Sequence, residues 1–320
     1  MNGYLLPNFF RLMGYLVSVS LGGYLLGKGA EQLLGRFQAR IVGALVLGSA
    51  VTIPEYLFAI VSVLDQKNAQ ALGSAYGGNI FLFTVAYGAL FLASSRRGSY
   101  IRGYKGMRSD LVILFVSTTL FVLSYFERFL SLYLGFALLL LYAAFIFSGA
   151  GRSVNTSISV RSLSKKVKLT ALVYLFAGLA LTFVFIHPLV EEVSSFSFRL
   201  GVSPVITALF VVPIGDELPE ILSAVTLIRS SVQGEHTALA SLVGSKIQSN
   251  TLLLGTITVL AYALGNPIFT GESYAGAALF AMAATTYLGL AITFLSPKKR
   301  GVGVVLLAAY LVSAGYILSA

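Results

Sequence analysis

Twice in this chain an apolar stretch long enough to cross a membrane carries a Pro-Glu pair near its centre. Each time a Gly-Ser-x-x-x-(Gly/Ser)-Asn pattern follows in the next apolar stretch. The first copy is Thr52-Ile53-Pro54-Glu55 with Gly73-Ser74-Ala75-Tyr76-Gly77-Gly78-Asn79, and the second is Glu217-Leu218-Pro219-Glu220 with Gly244-Ser245-Lys246-Ile247-Gln248-Ser249-Asn250. An acidic side chain at the middle of a membrane helix costs about 2.5 to 3.5 kcal/mol on insertion scales, so a glutamate repeated there in both halves marks a site.

The surrounding chain demands a bilayer. Its 320 residues are 57% hydrophobic and only 11% charged, with a mean hydropathy of +0.87. Soluble domains average roughly 25% charged residues. Polar runs are short and confined to joints between apolar segments, which leaves no sizeable soluble domain. A formal charge of +10 does not indicate nucleic acid, because the basic residues are scattered among joints rather than gathered on one face. The absence of cysteine excludes disulfides, thiolate metal sites and cysteine catalysis. Residues 1–17 lack a charged start and a small-residue cleavage site, so they are read as the start of the first span rather than a removable signal.

A membrane helix needs about 17–25 apolar residues. On that basis spans are expected near 8–30, 41–63, 71–94, 110–126, 129–149, 169–189, 202–229, 237–262, 273–295 and 302–319. The runs are continuous rather than alternating over ~10 residues, which favours helices over a barrel. The expected fold class is an all-α membrane protein of ten helices.

Charge orients the helices. Of 22 basic residues, 17 fall in the joints after spans 1, 3, 5, 7 and 9: Lys28, Arg36, Arg40, Arg96, Arg97, Arg102, Lys105, Arg108, Arg152, Arg161, Lys165, Lys166, Lys168, Arg229, Lys298, Lys299 and Arg300. Arg11, Lys67, Arg128 and Arg199 lie on the other side, and Lys246 lies within a span. By the positive-inside rule the odd joints are cytoplasmic and both termini are outside, in a multi-pass protein of the plasma membrane.

Five spans per half is an odd number, so the two repeats must be inverted: 1–150, a basic cytoplasmic linker 151–168, and 169–320. Inverted repeats place the site of many secondary transporters at the bilayer midplane. The linker reads as a solvated loop made basic by topology, or as a lipid-binding patch.

Proline lacks an amide hydrogen and frees the carbonyl four residues earlier. Pro54 frees Ala50 and Pro219 frees Gly215, so spans 2 and 7 are expected to break into half-helices at mid-membrane. A hard cation takes six to eight oxygens when it is Ca²⁺, and Na⁺ takes fewer. The breaks offer carbonyls of Ala50 and Gly215, and Glu55, Asp216, Glu217 and Glu220 offer charge. Thr52, Ser74, Asn79, Ser245, Ser249 and Asn250 offer neutral oxygens. With no Cys, and no His in these segments, zinc and copper are disfavoured.

Structural readings stand beside the functional ones. Thr52-x-x-Glu55 is also a capping-box pattern, and Asp216 is a candidate cap in span 7. Gly73, Gly77, Gly78 and Gly244 are read as close-packing residues. Asp65, Glu127, Glu191, Glu192 and Glu272 read as an outer polar rim, and His187 and His236 as interfacial.

The two motifs resemble the signature of the cation/calcium antiporter superfamily, a Gly-Thr-Ser-Leu-Pro-Glu type segment and a Gly-Asn or Gly-Ser segment in each of two inverted five-helix repeats. Residues 215–220 match at Gly, Leu, Pro and Glu; residues 50–55 match at Pro and Glu, with Thr52 in the Ser place. The resemblance implies exchange of Ca²⁺ against Na⁺ or H⁺ by alternating access, with Glu55 and Glu220 as central ligands. It implies no enzyme activity and no resident cofactor, with inorganic cations and membrane lipid as partners and the oligomeric state open. Where related sodium/calcium exchangers often carry a further acid, Ser249 stands here, which leaves the coupling ion open between Na⁺ and H⁺.

Asp216 and Glu217 replace the usual Thr and Ser, and Lys246 follows the second Gly-Ser. A buried ammonium wants a carboxylate, so Lys246 is expected to pair with Glu217 or Asp216. Two roles are open to it: stand-in for one coupling cation, or a lock between spans 7 and 8. Competing functions are an intramembrane metalloenzyme, which would need ligands or a basic pocket that do not accompany the carboxylates, a cation channel, and a non-transporting relative.

Overall fold

The computed structural model describes residues 5–34, 48–94, 107–150, 164–230, 232–271, 273–295 and 301–320. Ten helical segments run through them. They are α1 (Leu5–Leu34), α2 (Gly48–Leu64), α3 (Asn68–Ser94), α4 (Met107–Glu127), α5 (Leu132–Ala150), α6 (Lys165–Leu200), α7 (Pro204–Ser230), α8 (232–263), α9 (Ser273–Leu295) and α10 (Gly301–Leu318). Among the described residues no strand forms, and the extended pairing is one isolated bridge, Phe129 with Phe269.

Six of these helices are long and apolar enough to cross a membrane, and two shorter apolar ones span Thr52–Leu64 and Leu132–Ser148. The remaining two are α7, which carries Asp216, Glu217 and Glu220, and α8, which carries Lys246. Most boundaries lie close to the expected spans. Residues 41–47 of the expected second span, most of the 151–168 linker and Glu272 lie outside the described residues.

Helix α6 exceeds expectation at both ends. Its start is capped by the Ser164 hydroxyl, which accepts from the amide of Val167, and it stops where Gly201 adopts φ +67°. At about 1.5 Å per residue it is longer than a ~30 Å hydrocarbon core. Its polar end, from Glu191 onward, is held by the neighbouring joint through Lys67–Glu191 and Gln70–Ser194.

The expected breaks are absent. Pro54 lies inside a continuous α2 and Pro219 inside a continuous α7, so neither Thr52 nor Asp216 caps a half-helix there. Proline's fixed φ is itself helical, and what it removes is one hydrogen bond. Flanking turns packed against neighbours hold the axis through that gap. The backbone irregularity falls instead on the partner helices, where a π-helical turn interrupts α3 at Leu82–Ala86 and α8 at Ser249–Leu253. Such turns are often found at functional sites.

Burial separates centre from periphery. The most apolar window of α3 is 83% buried, against 22% for those of α6 and α10. Helix α3 lies directly on α7: a Cβ added at Gly73 would sit 2.5 Å from the Val205 carbonyl oxygen, and one at Gly77 only 2.1 Å from that of Leu209. Helix α1 makes its longest seam with α6, where Gly22 and Gly178 meet backbone to backbone.

The even-numbered joints gather on one side. Leu130 donates to the Ile268 carbonyl and Thr270 to that of Arg128, both at 2.9 Å, and the Asn68 amide donates to the Asn266 carbonyl at 2.7 Å. Lys67 reaches Glu191 on the same side and lies 3.8 Å from Asp65.

Candidate functional site

The α2, α3, α7 and α8 helices bring the two motifs together at the centre of the bundle. Glu55, Glu217 and Glu220 are each 3% exposed or less, and Asp216 is 6% exposed. Four carboxylates in one apolar interior repel one another, and each must be held by hydrogen bonds or by a cation.

Serines of α8 hold two of them. The Ser245 hydroxyl donates to Glu220 Oε2 at 2.8 Å, within the second half of the chain. The Ser249 hydroxyl donates to Glu55 Oε2 at 2.9 Å, from the second half of the chain to the first. Ser241, one turn before Ser245, also hydrogen-bonds Glu220. In both glutamates the other oxygen, Oε1, is buried without a partner among the described residues, as are both carboxylate oxygens of Asp216.

The asparagines have the same polarity. Asn79 donates its amide to the Ala75 carbonyl at 2.8 Å, and Asn250 donates to the Thr118 hydroxyl at 3.0 Å. In each the Oδ1 is buried and has no partner among the described residues. A buried oxygen without a donor is costly. A set of them around paired carboxylates is the environment that a desolvated cation repays.

Not every expected residue joins. The Ser74 hydroxyl turns back to the Ala71 carbonyl at 3.0 Å, an ordinary intrahelical bond. Thr52 faces the Gln248 side-chain oxygen at 3.5 Å. With both helices continuous, Ala50 and Gly215 do not sit at the ends of half-helices. Gly215 serves close packing, since a Cβ there would lie 2.3 Å from Leu16.

Lys246 departs from expectation. Its side chain is fully buried, yet among the described residues it makes no ion pair with Glu217 or Asp216. Its Nζ donates to the Asn79 carbonyl at 2.6 Å and faces the Phe83 ring, 5.3 Å from the centroid. Both partners belong to α3.

Two residues escaped the sequence reading. Gly78 was assigned to packing, but a Cβ there would lie 2.9 Å from Glu55 Oε1 and 3.0 Å from Glu217 Oε1, so it faces the gap between the carboxylates. Gln248 is buried beside Thr52 and accepts the Tyr56 hydroxyl at its carbonyl, 3.1 Å away. Its place between Ser245 and Ser249, in the second copy of the repeated pattern, was the available signal.

A separate cavity of about 290 Å³ opens between α1 and α7, lined by Tyr24, Lys28, Pro219, Ser223 and Thr226. It begins one residue from Glu220 and lies on the side opposite the gathered even joints.

The family described as sodium/calcium exchanger protein matches residues 8–148 and 170–318. No relative among the curated proteins matches the chain. The crystal structure of the H⁺/Ca²⁺ exchanger CAX is similar with a TM-score of 0.78 at 18% identity, over 98% of this chain and 86% of that one. Native YfkE gives 0.74 at 19% identity, over 96% and 92%. The sodium-calcium exchanger NCX_Mj, soaked with Na⁺ and Sr²⁺, gives 0.67 at 18% identity, over 97% and 99%. At these identities the structural likeness establishes the fold.

Proposed function

The chain belongs to the sodium/calcium exchanger family, and we propose that it is a secondary antiporter that carries Ca²⁺ across a membrane in exchange for Na⁺ or H⁺ by alternating access. The observation that carries this reading is the pairing of Glu55 and Glu220. They come from opposite halves of the chain, each is tethered at one oxygen by a serine of α8, and each leaves its other oxygen buried and unpartnered. The free oxygens of Asp216, Asn79 and Asn250 complete a hard-ligand set suited to Ca²⁺. Glu217 adds charge beside Gly78.

The way the helices pack supports alternating access. Helices α1 and α6 form one glycine-sealed pair at the periphery, while the ligands sit on α2, α3, α7 and α8. Sliding the pair past the ligand helices exposes the ion to one side and then the other. The odd joints are assigned to the cytoplasm by their basic residues, with both termini outside.

A proton-coupled exchanger is the second reading. It is favoured by the neutral Ser249, which binds Glu55 as a donor and brings no charge of its own for an extra Na⁺.

The test is Ca²⁺ uptake into proteoliposomes under an imposed Na⁺ gradient, a pH gradient, or neither. Uptake with one gradient names the coupling ion, and uptake with neither indicates a channel and overturns the proposal. Glu55→Gln and Glu220→Gln are each expected to abolish exchange in a protein that still purifies folded. Normal exchange rates in either variant would remove that glutamate from the site.

A further inference from the structure

We infer that Lys246 is a tethered resident cation: its ammonium fills a monovalent-cation subsite beside the carboxylates and thereby lowers the number of mobile cations that each transport cycle must bind. The inference deepens the exchanger reading above and rests on it for its transport consequence.

The alternative role for this lysine, a lock between α7 and α8, makes a geometric demand. A lock places the ammonium on a carboxylate of α7. Among the described residues it is on none. It is held instead by α3, through the Asn79 carbonyl at 2.6 Å and the face of Phe83. A backbone carbonyl and an aromatic face are neutral groups that hold a desolvated monovalent cation by dipole and quadrupole.

The subsite is built rather than incidental. Phe83 is backed by Gly289 of α9, where an added Cβ would lie 2.3 Å from the ring, so only a glycine lets the ring lie where it does. Burial opposes the charge of Lys246, and the neighbouring carboxylates Glu217 and Glu55 favour it. Meanwhile Glu55 Oε1, Glu220 Oε1 and both oxygens of Asp216 have no partner among the described residues. The ammonium offsets part of the charge of the site without occupying its free oxygens.

A mobile Na⁺ at this position would have to leave and return in each cycle, whereas a lysine cannot. Removing the ammonium should therefore open a place that a free cation must fill. Methionine keeps much of the length and the apolar stem of the side chain while removing its charge, so Lys246→Met is the informative variant.

Two measurements test this. The first is thermal stabilisation of purified protein by Na⁺ in a choline background without Ca²⁺, a binding readout independent of transport. The variant should be half-stabilised at a Na⁺ concentration at least about tenfold lower than the wild type, the equivalent of 1.4 kcal/mol. The second is Ca²⁺ uptake in proteoliposomes as a function of Na⁺. The variant should show a Hill slope steeper by about one, or a new Na⁺ requirement if the wild type is driven by protons alone. Methylammonium should compete with Na⁺ for the vacated place, and Lys246→Arg should keep the wild-type slope.

Unchanged Na⁺ stabilisation in a folded Lys246→Met protein overturns the inference, whether or not that protein transports. Enhanced Na⁺ stabilisation of the variant, with no Ca²⁺ exchange by the wild type, keeps the subsite and removes the exchanger reading.

Discussion

Neighbouring glycines on α3 separate packing from function at the scale of single residues. A Cβ at Gly77 would meet backbone, 2.1 Å from the Leu209 carbonyl oxygen, whereas one at Gly78 would meet the carboxylate oxygens of Glu55 and Glu217. Backbone cannot yield without parting α3 from α7, but side-chain carboxylates can swing away. Gly77→Ala is therefore expected to destabilise the protein by about 1–3 kcal/mol, the usual cost of overpacking, read as a lower melting temperature. Gly78→Ala should leave melting nearly unchanged while raising the Ca²⁺ concentration for half-maximal uptake about tenfold, roughly 1.4 kcal/mol of binding. Equal effects of the two on melting would erase the distinction. Sequence alone could not draw it, because both glycines stand in one small-residue run and only the position of α2 tells which way each faces. The glutamates and Asn250 were legible, since a carboxylate or amide repeated in an apolar run announces itself. The direction of Lys246 was not: its charge demanded a partner, and the partner turned out to be a carbonyl and a ring on a helix far away in sequence.

Whole helices were legible where composition is uniform and obscure where contacts override it. Long apolar runs gave the helices close to their observed limits. The Pro-Glu segments suggested breaks, yet α2 and α7 continue through them and the irregular turns lie in α3 and α8. Proline reports a missing hydrogen bond, and neighbouring helices decide whether the axis bends. In α6 the reading stopped at the paired acids Glu191 and Glu192, whereas the helix continues because the α2–α3 joint holds it. Lys67 bonds Glu191, His187 Nε2 lies 3.4 Å from Asp65, and Gln70 bonds Ser194. These contacts tie α6 to the ligand helices at the even-joint end. Exposed ion pairs contribute about 0.2–1 kcal/mol, so Glu191→Gln should scarcely move the melting temperature. The same energy shifts a two-state equilibrium up to about fivefold. Its expected effect is therefore on exchange: a lower half-saturating Ca²⁺ on the even-joint side, less pronounced at high salt, and no further change on adding Lys67→Ala. Salt-independent exchange identical to wild type would show that the contact does not hold the pair.

Across the whole molecule the two ends of the bundle differ. The even-joint end is stitched by Leu130 to Ile268, Thr270 to Arg128, Asn68 to Asn266 and Lys67 to Glu191. The opposite end has the cavity that opens between α1 and α7 beside Pro219, with Ser223 and Thr226 on its wall. A site closed at one end and approached by a cavity from the other fits one half of the proposed alternating-access cycle, and the orientation proposed from the basic joints makes the open end cytoplasmic. Because the chain has no cysteine, single introduced cysteines can report both orientation and access. Phe269, 61% exposed in the joint between α8 and α9, should as Phe269→Cys react with an impermeant maleimide on intact cells. Thr226→Cys should react only when the reagent reaches the cytoplasmic face. If the cavity leads to the ion site, saturating Ca²⁺ should slow the reaction of Thr226→Cys and leave that of Phe269→Cys unchanged. Labelling from the opposite faces would invert the orientation, and Ca²⁺-independent labelling of Thr226→Cys would separate the cavity from the ion path. The two outcomes are independent, because side is set by the charges in the joints and access by the packing of α1 on α7.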